Sequence, residues 1–386
     1  MDNLFFNEEH SMLVDMVRDF ANTEIAPIAK DMEKNGKIPK EIISQMAELG
    51  LMGIPIPEKY GGAGMDTVAY AAAVMELAKV DASVAITMAA HTSLGSMPIV
   101  IAGTEEQKQK YLPKLASGKV IGAFGLTEPG AGSDAGSTKT TAELDGDEYV
   151  VNGGKIFITN SSLAGILTLT TNIIENDENK GIGALVTFTD NPGLKIGPKE
   201  KKMGWRASDT RQLFFENMRV PKENVLGQPT DGFKTFMKTL IGGRISVSAL
   251  SCGTAEGAFQ KALQYSTERK AFGKEIHAFQ AVGFKLADMA TDIEAAKLLT
   301  YHAAWMKDQG KDVLKQAAQA KLFASEAAMR ITTEAIQILG GYGYVKEYDV
   351  ERFFRDAKVL EIGEGTSEVQ RMVIARELVK TFSKAA

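Results

Sequence analysis

Glu364 stands between two glycines in the run Glu361-Ile362-Gly363-Glu364-Gly365-Thr366-Ser367-Glu368. A carboxylate on such a loop can approach a ligand closely, because glycine adds no side-chain bulk and opens unusual backbone angles. A helix is expected immediately afterwards. Ser367 and Gln370 have the spacing of a capping box, and Val369, Val373 and Leu378 supply apolar positions behind them. A loop carboxylate anchored by a capped helix suits general-base chemistry, the removal of a proton from a bound substrate. Taken alone, a surface glutamate is more often simply solvated.

A second chemical feature is Gly130-Ala131-Gly132-Ser133-Asp134-Ala135, which follows a strand-like run and fits the G-x-G-x-x-A pattern of dinucleotide-binding turns. That fold requires a helix next, whose N-terminus meets the pyrophosphate. Here Ser137 to Leu144 carries a β pattern, so the Rossmann reading is rejected. What remains is a turn rich in free backbone N–H groups, with the Thr127 and Ser133 hydroxyls nearby, suited to an anionic or heteroaromatic ligand.

The elements that must position these features fall into three textures. Helical periodicity or buried-helix composition marks Glu8 to Lys34, Lys40 to Leu49, Thr67 to Lys79, Ser83 to Ala102 and Glu105 to Leu115. From Val120 the pattern becomes β. Val120 to Leu126 is a short strand, and Thr138 to Leu144 and Glu148 to Asn152 flank a hairpin signal at Asp145-Gly146. Ile156 to Thr159, Ile166 to Ile174, Ile182 to Thr189 and Gln212 to Phe215 continue it, as an antiparallel barrel or sandwich. Past Pro229, four long helices are expected: Gly232 to Lys270, Phe279 to Gln309, Asp312 to Leu339 and Ser367 to Phe382. Short connections between them suggest a bundle. The expected fold is thus multi-domain α and β: a helical N-terminal domain (1–118), a central β domain (119–229) and a C-terminal four-helix bundle (230–386).

The 386 residues are 44% hydrophobic and 24% charged, the composition of a globular protein with ample core. A net charge of −5 argues against nucleic-acid binding. The basic stretch Lys199 to Lys202 reads as a solvated turn. Cys252 is the only cysteine, so an internal disulfide is impossible and a reducing compartment fits. The four histidines, His10, His91, His277 and His302, lack metal-ligand spacing. The N-terminus shows no signal-peptide pattern, and the apolar stretches are broken before they reach the roughly 20 residues of a membrane span.

Several runs then read together: Leu126-Thr127-Glu128-Pro129-Gly130-Ala131-Gly132-Ser133-Asp134, Lys155-Ile156-Phe157-Ile158-Thr159-Asn160, Glu268-Arg269-Lys270-Ala271-Phe272-Gly273, Gln337-Ile338-Leu339-Gly340-Gly341 and Glu364-Gly365-Thr366-Ser367. Their order and spacing resemble the acyl-CoA dehydrogenase family, nearest its short-chain, butyryl-CoA dehydrogenase branch, over essentially the whole chain. The resemblance implies FAD as cofactor, an acyl-CoA or enoyl-CoA thioester as substrate, an electron-transferring flavoprotein as electron partner, a homotetramer built as a dimer of dimers, and a bacterial cytoplasmic setting. It implies that Glu364 removes the α-proton of an acyl thioester while a β-hydride passes to flavin N5. The Glu364 backbone N–H and a flavin ribityl hydroxyl would steady the thioester oxygen. By the same resemblance Leu126, Thr127, Ser133, Phe157 and Thr159 contact the flavin, and Ser133, Arg244, Gly363 and Gly365 the substrate. Arg269, Phe272, Gln337, Gly340 and Gly341 bind FAD across a dimer interface, Gln280 is a further cofactor contact, and Thr366 and Glu368 close over its adenine half. The same groups serve oxidation of acyl-CoA and reduction of enoyl-CoA, the direction some anaerobe relatives take.

The chain departs from the family pattern at four places. Gly243 replaces the glutamate that is the base in the isovaleryl and long-chain branches, leaving Glu364 as the candidate. Ile241 stands where relatives carry Asp, which puts one CoA contact in doubt. Phe157 replaces a common Trp. Gly363 replaces a Tyr, which frees volume for an acyl group bulkier than butyryl, such as an aryl-substituted one; Ala89, Ala90 and Gly95 are small in the same sense. An acyl-CoA oxidase or flavin monooxygenase on the same fold is the competing enzyme reading. A non-catalytic nucleic-acid-binding relative would need a basic region, which this acidic chain lacks.

Overall fold

Three layers of secondary structure follow one another along the chain, and the computed structural model describes residues 4–385. The first is helical. α1 (Glu8–Phe20) continues through a π-helical turn (Ala21–Ile25) and a 3-10 turn (Ala26–Ile28) into α2 (Ala29–Asn35). The pitch first changes at Ala21, and the 3-10 turn that follows holds Pro27, which has no N–H to donate to the α ladder. α3 (Lys40–Glu48), α4 (Thr67–Val80), α5 (Ala82–Ala89), α6 (Met97–Ala102) and α7 (Glu105–Ala116) complete the layer, with a π-helical turn, Ala90–Ser96, joining α5 to α6. The run Ala82–Ala102 is long and apolar enough to cross a membrane by composition, contrary to the expectation from sequence. Its most apolar window is 78% buried inside the fold, so it is a core helix.

The second layer is one seven-stranded sheet: β1 (Ile121–Gly125), β2 (Thr141–Asp145), β3 (Glu148–Thr159), β4 (Ala164–Glu175), β5 (Glu178–Phe188), β6 (Leu194–Lys199) and β7 (Thr210–Pro221). It is mixed rather than purely antiparallel. β1 and β2 both run parallel to β4, β1 along its first half and β2 along its second, while β5 pairs antiparallel to β4. Local alternation marks strands but carries no direction of pairing, which is why this feature was not readable beforehand. β2 and β3 form the expected hairpin, closed with Asp145 opposite Glu148. β6 was not expected; its six residues, Leu194 to Lys199, include a glycine and a proline.

The third layer holds the long helices α8 (Gly232–Glu268), α9 (Gln280–Asp308), α10 (Leu314–Leu339) and α13 (Ser367–Ala385). Between them lie a two-residue hairpin, β8 (Lys270–Ala271) with β9 (Lys274–Glu275), and the short helices α11 (Gly341–Tyr344) and α12 (Val350–Lys358). α8 packs on α10 and on α4, so one apolar core runs through both helical layers and includes Leu77, Val84, Ile245, Leu250, Ile331 and Leu360. A separate cluster, including Tyr149, Leu169 and Phe215, fills the sheet.

The π-helical turn is pinned to the sheet. His91 Nδ1 accepts from the Gly122 N–H at 2.9 Å, and its Nε2–H donates to Met52 O at 3.2 Å. Burial pushes His91 down to about 4, so the ring is neutral and both contacts are satisfied at pH 7. A Cβ on Gly95 would come within 2.7 Å of the Gly122 backbone, so the turn can lie directly on β1 only with glycine there.

Candidate active site

The loop carrying Glu364 leaves α12 through a 3-10 turn and is folded by its own backbone: the N–H groups of Ile362 and Gly363 both donate to Val359 O, at 3.0 and 2.8 Å. Glu364 then adopts φ 54° and Gly365 φ 92°. For a non-glycine residue the left-handed conformation costs about 1 kcal/mol, so the structure must hold Glu364 there. Two side chains do so. Gln370 Nε2 donates to Gly365 O at 2.8 Å and Glu364 O at 3.2 Å, and Lys321 Nζ donates to Gly365 O at 2.8 Å. The helix cap differs from the expected one. Thr366 Oγ1 accepts from Val369 N at 3.3 Å and serves as N-cap. Ser367 Oγ is buried without a partner among the described residues, and Gln370 reaches carbonyls rather than the N-cap N–H.

The Glu364 carboxyl rests on Gly243 of α8. A Cβ at that position would fall 1.9 Å from Oε2, so any larger residue there would force the carboxyl to move. Oε2 is buried with no hydrogen-bond partner among the described residues. The Glu364 N–H likewise has none. Beside it, Arg244 is 6% exposed, and its Nε and Nη1 are also without partners. Burial raises Glu364 to about 7, against the pull of Lys321 and Arg244 in the opposite direction. A carboxyl with that proton affinity, one oxygen buried and unpaired on a half-buried residue, is suited to take a proton from a weak carbon acid near neutral pH.

The glycine-rich loop is pinned from below. Lys155, fully buried on β3, places Nζ 2.7 Å from Glu128 Oε1, 3.2 Å from Leu126 O and 3.0 Å from Thr138 Oγ1. Glu128 also accepts from the N–H groups of Lys139 (2.7 Å) and Thr140 (3.1 Å). Burial alone would raise Glu128; hydrogen bonds from Lys155, Thr138 and Thr140 hold it at about 2. Leu126 and Thr127 are half-buried above this pair, and Ser133 is exposed on the turn. A 3-10 turn and then β2 follow, without a helix, as the rejection of the Rossmann reading requires. Across from the loop, the β3–β7 register slips between Lys155 and Ile158. Phe157 sits in that bulge at φ 59°, 62% exposed, with Thr159 half-buried two residues on. An exposed aromatic ring on a strained bulge is a ready face for a planar ligand.

A second group gathers elsewhere. Arg269, Gly340 and Gly341 line a cavity of about 540 Å³ with Tyr265, Ile338 and Tyr342, and the Arg269 guanidinium lies 5.7 Å from the Tyr342 ring centroid. Phe272 is 95% exposed at the tip of the β8–β9 hairpin, at φ 51°; Gln280 is exposed at the start of α9, and Gln337 is exposed near the end of α10. None of the glycine-loop, Phe157 or Glu364 residues lines that cavity. The residues singled out in sequence therefore form two sets within one chain. Glu368 is exposed on the first turn of α13. Ile241 packs as a partly buried apolar residue against the helical core.

Lys321, Lys155 and Glu128 were not singled out as site residues. Lys321 had a readable signal: a lone lysine in register with the buried alanines Ala317, Ala324 and Ala328 of α10. Lys155 and Glu128 lie within quoted motifs, but their pairing spans the β hairpin and leaves no local trace.

Comparison with known proteins places this architecture. The acyl-CoA dehydrogenase N-terminal, middle and C-terminal domain models match residues 7–119, 123–218 and 230–379. A probable acyl-CoA dehydrogenase of Bacillus subtilis is 53% identical over 98% of this chain and all of its own. A 3-(aryl)acrylate reductase of Clostridium sporogenes is 44% identical, again over 98% of this chain and all of its own. The solved butyryl-CoA dehydrogenase of Megasphaera elsdenii superposes with a TM-score of 0.95 at 46% identity, over 98% of this chain and 100% of that one. An acyl-CoA dehydrogenase from Bacillus anthracis, solved with FAD, superposes with a TM-score of 0.93 at 35% identity, over 98% of this chain and 68% of that one. With all three domain models matched in order, the chain belongs to the acyl-CoA dehydrogenase family.

Proposed function

We propose that the protein interconverts an acyl-CoA and its trans-2-enoyl-CoA, with Glu364 as the group that takes and returns the α-proton. The observation that carries this is the Glu364 carboxyl itself, desolvated on Gly243, without a hydrogen bond and raised to about 7. The neighbouring N–H of Glu364 is free to donate to a thioester oxygen, where negative charge develops as the α-proton leaves. Arg244, with two unpartnered nitrogens, offers charge to the CoA-bearing part of the substrate.

The residues present fit FAD. Phe157 offers an exposed ring, the Leu126-to-Ser133 loop is held rigid by Lys155 and Glu128, and Arg269 with Gly340 and Gly341 forms an open cavity. FAD, when bound, supplies the hydride acceptor. Leu126, Thr127, Ser133, Phe157 and Thr159 hold it in one subunit. Arg269, Phe272, Gln280, Gln337, Gly340 and Gly341, a separate set in the single chain, reach it from the neighbouring subunit of a homotetramer, with Thr366 and Glu368 at its adenine half. The divisions near residues 118 and 229 separate the parts that meet around it. An electron-transferring flavoprotein is the partner we propose, in a bacterial cytoplasm.

The substrate is a short-chain or aryl-substituted acyl thioester. A Cβ on Gly363 would meet nothing closer than Val359 O at 3.5 Å, so the space beside the base is open, and the aryl-acrylate reductase similarity favours bulk there. The test is anaerobic addition of butyryl-CoA and 3-arylpropionyl-CoA to the holoenzyme. Loss of flavin colour with either supports the reading. A flavin that stays oxidised with every acyl-CoA, and is not reoxidised by any enoyl-CoA once reduced, refutes it.

A further inference from the structure

A lysine is seldom buried completely unless an acid is paired with it, because its charged amine loses its hydration. Lys321 has no exposed surface, yet its hydrogen bond is to a backbone carbonyl, that of Gly365. Among the charged groups that act on it, Glu364 attracts it most, Arg244 repels it, and Glu361 and Glu368 attract it. Burial, the largest influence, lowers it to about 8. Glu364 in turn faces Lys321 on α10 and Arg244 on α8, while the Tyr70 phenol on α4, itself raised by burial, feels the Glu364 charge. A methionine would fill the same volume without this cost, so apolar packing alone does not account for a lysine here.

We propose that Lys321 is the positioning residue of this site: its ammonium holds the Gly365 carbonyl, fixes the strained Glu364 backbone, and places a positive charge behind the carboxylate that takes the proton. The inference rests on the reading of Glu364 as the base. Gln370 shares the first task, donating to the same carbonyl and to Glu364 O, but carries no charge. The two residues therefore separate holding the loop from holding the charge. Without Lys321 the carboxylate loses a cation, so its proton is held more tightly and the base becomes available only at higher pH.

The experiment compares Lys321→Met, Gln370→Leu and Glu364→Gln holoenzymes, reading flavin content, Tm and the pH dependence of kcat and KM. Lys321→Met is expected to lower kcat about 10- to 100-fold at pH 7, the effect of a misplaced reacting group. Its acidic limb moves up by about one pH unit, the effect of removing a nearby opposite charge. Gln370→Leu lowers kcat and leaves the limb in place. A Lys321→Met enzyme with the wild-type limb, or with activity lost only in proportion to flavin or Tm, overturns the proposal. Should Lys321→Met not accumulate as holoenzyme, Lys321→Gln removes the charge and keeps a donor for the Gly365 carbonyl. A limb that moves up then supports the proposal, and a wild-type limb overturns it. Glu364→Gln keeps the two failures apart: if it remains fully active, the base reading is wrong; if it is inactive while Lys321→Met behaves as wild type, only this inference fails.

Discussion

Two buried clusters of charge lie along the same stretch of chain, and they are built in opposite ways. Arg352, on α12, uses its whole guanidinium. Nε and Nη2 donate to the two Asp349 oxygens at 2.7 and 2.8 Å, Nη1 to Asp81 at 2.9 Å, and Nη2 again to Val80 O at 2.9 Å. Asp81 also caps α5 through Val84 N, and Asp356, 3.8 Å from Arg352, accepts from Trp205 N. Both helical layers and the loop after β6 are tied at that point. A few residues on, around Glu364, the arrangement reverses: Glu364 Oε2 and two Arg244 nitrogens are buried and unpartnered, and Lys321 is spent on a carbonyl. Fully paired buried charge stiffens a junction. Unpaired buried charge is costly and persists where a ligand completes it or a reaction uses it. The first cluster anchors the segment from which the second is presented.

If that contrast holds, the clusters break differently. Arg352→Met leaves Asp81, Asp349 and Asp356 buried together. It should cost about 3–5 kcal/mol of stability, read from the urea midpoint, with activity following the folded fraction. Glu364 behaves the other way, moving activity with pH while the fold stays intact. Its folded-state value is raised to about 7, so below that pH the carboxyl is protonated and cannot act as base. In the dehydrogenation direction kcat/KM should rise about tenfold per pH unit below 7 and level off above it. A profile flat from pH 5 to 8 would contradict the assignment. Filling the space beside the base sharpens the contrast further. Gly363→Tyr should depress turnover of an aryl-substituted thioester relative to butyryl-CoA by roughly 10-fold or more, the scale on which a pocket discriminates by volume. The smallest effect is expected at the helix cap, where Thr366→Ala should lower stability by about 1 kcal/mol in thermal unfolding.

The helices were readable because their signal is local. Gly232 to Lys270 was expected and Gly232–Glu268 is observed, and the other three long helices agree within a few residues at their starts. Glu364 and its glycines were readable for a similar reason: both the left-handed φ at Gly365 and the open side at Gly363 are properties of the residue in place. What escaped depends on partners distant in sequence. The parallel pairing of β1 and β2 with β4 cannot be read from alternation. The Lys155–Glu128 pair that supports the glycine loop, and the Arg352 junction on an unexpected helix, connect segments that meet only after folding. The expected cap lies one residue from the observed one because Ser367 and Thr366 offer the same hydroxyl chemistry; Thr366 Oγ1 takes the Val369 N–H and Ser367 Oγ does not.

The most direct test of the central claim is solvent exchange at the substrate α-carbon. Holoenzyme and its Glu364→Gln variant would be incubated anaerobically in D₂O with an acyl-CoA and no external electron acceptor, and α-deuterium followed by NMR or mass. The account predicts α-deuterium with the wild type and none above the uncatalysed background with Glu364→Gln, at unchanged flavin content. Equal deuterium incorporation by the two proteins would contradict it, for the α-proton would then be moving through some group other than Glu364.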